Sequence, residues 1–120
     1  MQRIDADSLL WNWARWCNSG AVVGNMADYI PFDDEQKTNP ICITHAEAVD
    51  RLHQLLPHHQ RMIVIAEYPQ RRIRFRGLGA KVRREKARRW IYTATGIWIR
   101  DFEYQIKLCE FKKEVEGRLL

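Results

Sequence analysis

Apolar residues recur along the chain at helical spacing, interrupted by one long polar and turn-rich stretch. Leu9, Leu10, Trp13, Trp16 and Cys17 share a stripe that predicts a first helix over about Asp7–Asn18. Asp5, Asp7 or Ser8 is suited to cap its start, and Gly20 sits where a helix would end. Trp11 falls off the stripe and is left to face solvent or a partner. Residues 19–43 carry Gly20, Gly24, Pro31, Pro40 and the acidic run Asp33-Asp34-Glu35, which reads as an irregular connection of a length that is often functional. Its Tyr29-Ile30-Pro31-Phe32 segment is expected to be pinned to the core. Thr44-His45-Ala46-Glu47 has the S/T-x-x-E pattern of a capping box and opens a second helix, with Ala48, Val49, Leu52, Leu55 and Leu56 inward. Pro57 separates it from a third helix over about His58–Tyr68, ended by Pro69, with Met62, Ile63, Ile65 and Ala66 inward. The β-branched residues there would also suit a strand, but the flanking helices favour a helix. A last, long helical pattern runs from about Arg84 to Glu116, with Ile91, Ala94, Trp98, Phe102, Ile106, Cys109 and Val115 on one broad face. Gly96 interrupts it at a cost of about 1 kcal/mol relative to alanine, so the helix is expected to bend or divide there.

The expected fold class is therefore all-α: one helical domain over residues 1–120. Residues 1–43 hold the N-terminal helix and loop, and residues 44–120 a helix–turn–helix core and a long C-terminal helix. A hydrophobic content of 46% with 29% charged residues belongs to a globular chain long enough to bury a core without staples. No apolar run approaches the ~18 residues a membrane span needs, and the N-terminus lacks the basic and apolar regions of a signal peptide. A cytoplasmic location is expected. Cys17, Cys42 and Cys109 are odd in number and far apart, so they are expected to be free, buried thiols.

Charge changes the picture more than composition does. Residues 1–70 hold five basic and nine acidic residues, and residues 90–120 hold five of each. Residues 71–89 hold ten basic residues and a single acid, Glu85. Positive charge gathered this way is the electrostatic footprint of a polyanion binder.

The basic segment also fits a helix–turn–helix. Such a unit needs a small residue where its helices touch, apolar residues before and inside the turn, and an inner apolar face on the second helix. Gly77 serves as the contact, Ala80 packs before the turn, Val82 fills it, and Ala87, Trp90 and Ile91 form the inner face. Arg76 stands where an apolar residue usually packs, and Gly77 and Gly79 weaken the first helix of the pair. The DNA-binding residues are then Arg71, Arg72, Arg74, Arg76, Lys81, Arg83, Arg84, Lys86, Arg88 and Arg89, aided by the amides at the start of the second helix. Arginine is the side chain best shaped for paired hydrogen bonds to guanine edges. Removing the charge of Arg84 and Arg88 is expected to weaken DNA binding.

Several segments, in order, resemble the phage antitermination protein Q family, in its branch with a helix–turn–helix similar to sigma factor region 4. They are Trp13-Ala14-Arg15-Trp16, then Pro31-Phe32 and Cys42, then Ala48-Val49-Asp50-Arg51-Leu52, Leu56-Pro57 and Ala66-Glu67-Tyr68, and finally Ala87-Arg88-Arg89-Trp90-Ile91-Tyr92-Thr93-Ala94. The resemblance implies a protein that binds double-stranded DNA near a phage late promoter. It would load onto bacterial RNA polymerase, held there by sigma factor, and make it read through terminators.

Other chemistry has weaker support. Cys42-Ile43-Thr44-His45 has C-x-x-H spacing, but His53, His58, His59 and Cys17 supply no second pair, so no metal site or cofactor is expected. Asp33, Asp34 and Glu35 would suit Mg²⁺, but no base and nucleophile accompany them, so no enzyme is expected. His58 and His59 are placed at an exposed helix start and His45 in the cap region. The aromatic residues would suit stacking on RNA bases, yet Trp13, Trp16, Trp90 and Trp98 lie on helical stripes and are assigned to the core. The alternative function is a small phage regulator acting on a host complex such as RNA polymerase without DNA, through its acidic loop and Trp11.

Overall fold

The computed structural model describes residues 5–19 and 41–120. Among them are five helices and no strand: α1 (Ala6–Cys17), α2 (Ile43–Gln54), α3 (His58–Glu67), α4 (Ala80–Thr95) and α5 (Asp101–Leu119). The fold is all-helical with a long C-terminal helix, as the apolar periodicity predicts. Most of the expected irregular connection lies outside the described residues, including Gly20, Gly24, Tyr29 to Phe32, the acidic run Asp33-Asp34-Glu35 and Pro40.

The helix ends follow local chemistry. Asp5 caps α1, its carboxylate accepting from the Ser8 amide at 2.8 Å. Thr44 and Glu47 do not form the expected capping box. The N-cap of α2 lies two residues earlier, at Cys42, with no side-chain cap bond, because Asn12 already holds the Cys42 backbone. The Asn12 amide donates to the Cys42 carbonyl at 2.9 Å and its oxygen accepts from the Cys42 amide at 2.8 Å. Pro57 opens α3 at His58. The final pattern divides at Gly96, whose φ of +76° is the left-handed conformation that terminates α4.

Two apolar clusters share α3 as their common wall. One joins Leu9, Leu10, Trp13 and Ala14 of α1 to Val49, Val64, Tyr68, Phe111 and Val115. The other joins Met62, Ile63 and Ala66 to Phe75, Ala87, Ile91, Ile99 and Tyr104. Leu108 of α5 packs against both. His53 is buried in the first region between Trp13 and Phe111, with Nε2 3.0 Å from the Arg61 carbonyl. Burial pulls its pKa below the 6.5 of an open imidazole.

Four expectations of burial change. Leu55, expected inward, is the C-cap of α2 and is exposed. Cys42 and Cys109 are exposed and Cys17 half-buried, although all three are free thiols. Burial and the nearby Asp50 push the Cys17 thiol up to about 12. Trp13 is core, and Trp16 and Trp90 are partly buried against it, but Trp98 is exposed. Division at Gly96 resets the register, so α5 buries Tyr104, Phe111 and Val115 and leaves Phe102, Ile106 and Cys109 outside.

Candidate nucleic-acid interface

The basic segment spans two kinds of backbone. Residues 71–77 form consecutive turns, and no helix precedes α4 within 71–79. The helix pair expected within residues 74–92 is thus replaced by α3, a connector over 68–79, and α4. Glycine explains the difference: Gly77 takes φ +76°, which a helix interior does not use. Helix α4 starts at Ala80 rather than near Arg84, so Ala80 and Val82 sit exposed in its first turn instead of packing before or within a turn.

The connector alternates inward and outward. Ile73 is half-buried and Phe75 buried, while Arg72, Arg74 and Arg76 between and beside them are exposed, as is Arg71. Phe75 anchors the loop, its ring edge-on to Trp90 at 5.7 Å, and the Phe75 amide donates to the Gln70 carbonyl at 3.1 Å. Tryptophan faces steer the arginines. The Arg72 and Arg71 guanidiniums lie 4.9 and 5.6 Å from the Trp11 ring centre, and that of Arg74 lies 5.2 Å from Trp90. A π-face orients a cation without cancelling its charge. Trp11 itself is half-buried, edge-on to Tyr68 at 5.1 Å. These two tryptophans are parts of the site that sequence reasoning missed. Trp11 lying off its stripe was the available signal.

Helix α4 sorts its cations by face. Arg83 lies four and eight residues before Ala87 and Ile91, so the buried stripe runs through it. Its guanidinium donates to both Glu67 oxygens at 3.0 and 3.1 Å, and Tyr104 donates to the same carboxylate at 2.8 Å. Arg84 donates to Asp101 at 2.8 Å, and Arg88 lies 4.0 Å from that carboxylate and 5.3 Å from the Trp98 ring centre. The Arg84 hydrogen bond holds the Asp101 carboxyl below its usual range and raises the Arg84 pKa in turn. Of the expected DNA-binding set, Arg83 is buried and Arg84 and Arg88 are half-buried, turned toward Glu67 and Asp101 rather than outward, so the structure does not bring these three together with the exposed cations.

The outer face of α4 carries Lys81, Val82, Glu85, Lys86 and Arg89, all exposed. Arg89 pairs with Glu85 at 3.1 Å in the open, where such a pair exchanges readily with water. Lys86 lies one turn before Trp90, and Arg74 sits on that ring, so connector and helix cations border one another. Arg71, Arg72, Arg74, Arg76, Lys81, Lys86 and Arg89 thus remain exposed, on a connector anchored by Phe75 and on the helix it leads into. The N-cap of α4 is Gly79, which makes no side-chain cap bond. Among the described residues, no three His, Cys, Asp or Glu side chains are grouped to hold a metal ion, and no helix is long and apolar enough to cross a membrane. Comparison with family models, curated proteins and solved structures returns no match for this chain.

Proposed function

We propose that this protein is a sequence-specific DNA-binding transcription antiterminator of the phage Q type. It binds double-stranded DNA near a late promoter and loads onto bacterial RNA polymerase, with sigma factor among its contacts. The observation that carries the reading is the set of exposed cations Arg71, Arg72, Arg74, Arg76, Lys81, Lys86 and Arg89, interrupted by one acid, Glu85. Connector arginines fixed over tryptophan faces suit phosphates, which position a protein on DNA. The α4 face, with an apolar Val82 among polar side chains, suits base edges in the major groove. The polymerase step rests on the resemblance in sequence carried by the segments from Trp13 to Ala94, taken in their order along the chain.

A gel-shift titration with duplex DNA tests the first half. Binding is expected to weaken by about 10³-fold or more between 50 and 200 mM salt if most of these cations meet phosphates. Salt-independent binding, or none, overturns it. A late-gene terminator reporter tests the second half: the expected result is read-through that depends on the protein.

A further inference from the structure

Helix α1 carries none of the exposed cations assigned to DNA, yet it holds the start of the connector that does. Asp7 accepts from the Tyr68 hydroxyl and also lies 3.3 Å from Lys112 of α5, so Tyr68 is tied to two helices. Asn18, the C-cap of α1, donates to the Pro69 carbonyl at 3.0 Å. Trp11 stands edge-on to Tyr68 at 5.1 Å, and the Arg72 and Arg71 guanidiniums lie over its ring at 4.9 and 5.6 Å. The backbone at Pro69 and the side chains of Arg71 and Arg72 are thus set by a helix far away in sequence: the Asn18 and Asp7 bonds each span more than fifty residues, 51 and 61.

We propose, resting on the DNA-binding reading above, that Trp11 is a positioning residue of the interface: it touches no DNA and acts by holding Arg71 and Arg72 where they meet phosphates. An exposed arginine has several rotatable bonds, and freezing them is part of the cost of every contact it makes. A ring that already holds the guanidinium removes part of that cost before DNA arrives. The kind of partner decides what is left for the ligand. Glu67 takes N–H donors of Arg83 and neutralises its charge. An indole face instead takes the flat of a guanidinium and leaves its charge and its in-plane donors for a phosphate. Trp11 is placed to hold rather than to touch, being half-buried against Tyr68 with two guanidiniums over its ring. Trp90 holds Arg74 in the same way, but it also meets Phe75, so a change there would disturb the loop anchor and the cation together. Trp11 separates the two effects.

The test is a double-mutant cycle in the full chain, read as affinity for a random-sequence duplex, because phosphate contacts are indifferent to sequence. Trp11→Leu should weaken binding by roughly three- to tenfold. The salt slope of log Kd should stay that of the parent, since the same cations remain to displace counterions. Trp11→Phe keeps a π-face and should restore most of the affinity. In a chain already carrying Arg71→Ala and Arg72→Ala, Trp11→Leu should cost less than about twofold. A merely structural role for Trp11 would cost the same in both backgrounds. Without DNA, the δ-methylene protons of Arg71 and Arg72 should resonate upfield in the parent, shifted by the indole ring, and lose that shift in Trp11→Leu. Circular dichroism shows whether Trp11→Leu keeps the fold, and the parent's proton shifts stand without that variant. Equal losses in both backgrounds, full affinity for Trp11→Leu, a phenylalanine that restores nothing, or unshifted arginine protons in the parent would overturn the role of Trp11 and leave the DNA reading in place. A parent that does not bind the duplex overturns both.

Discussion

The arginines of residues 71–89 fall into two groups that differ in surroundings rather than in chemistry. The inner group, Arg83, Arg84 and Arg88, meets Glu67 and Asp101 and ties α4 to α3 and α5. The outer group, on the connector and the far face of α4, meets tryptophan rings, Glu85 or solvent. A guanidinium becomes structural where an apolar stripe carries it to a buried acid, and stays exposed where the stripe turns it outward. Substitutions in the two groups should therefore separate stability from binding.

The largest effect is expected in the inner group. Glu67→Ala removes the carboxylate that receives Arg83 and Tyr104, leaving a cation in a site where Arg83 is 6% exposed. Breaking a buried pair on one side costs about 3–5 kcal/mol. Urea denaturation should show that loss, and replacing both Glu67 and Arg83 with apolar residues should recover much of it. A Glu67→Ala protein within about 0.5 kcal/mol of the parent would erase the distinction between the groups.

The complementary change is Arg71, Arg74 and Arg76 to alanine together. Under the proposed function the salt slope of log Kd should become shallower by roughly three units, with affinity lower by on the order of 10²-fold near physiological salt. Stability should move little, because all three are exposed. Arg84→Ala, by contrast, should act on the α4–α5 corner, where Asp101 holds it.

How much of this was legible in the sequence follows from the range of the forces involved. Helix existence was legible because the stripes in α1, α3 and α5 repeat over several turns, and so was the break at Gly96. The capping box was not, because Asn12, thirty residues away, takes the Cys42 backbone. The helix–turn–helix register failed at Gly77, where a positive φ replaces the expected helix. The division of arginines was half legible. Positions 83, 87 and 91 are one helical stripe in any register, but nothing local says that Glu67 waits opposite. Trp98 was misassigned because one stripe was drawn through a break that resets the face.

Acid offers a way to weaken the core without touching the cations. His53 is buried with its pKa lowered from 6.5. Between that lowered value and about 6.5 the unfolded chain binds more protons than the folded one. The stabilisation from neutral His53 is therefore complete above about 6.5 and is lost as pH falls through this window. Arginine stays charged throughout. Urea midpoints should fall on acidification below 6.5, and His53→Gln should flatten that part of the curve. DNA affinity of the still-folded protein should not fall with it. An identical pH dependence in parent and variant would assign the acid sensitivity elsewhere.

The smallest effect has the most discriminating sign. Glu85 is the only acid within residues 71–89, exposed on the outer face and 3.1 Å from Arg89. As a structural pair it is weak, since two exposed side chains held four residues apart contribute about 0.3–0.5 kcal/mol. As part of a DNA-facing surface it opposes binding twice, by repelling phosphates and by occupying Arg89. Glu85→Gln should therefore lower the urea midpoint slightly and tighten DNA binding by roughly three- to tenfold at moderate salt, the share of about one additional cation. If Glu85 instead accepts from a cytosine amino group in the preferred site, the substitution should loosen that site while still tightening unrelated DNA, a difference visible in one competition titration. Unchanged affinity for both DNAs would remove the outer face of α4 from the interface and leave the connector arginines alone there.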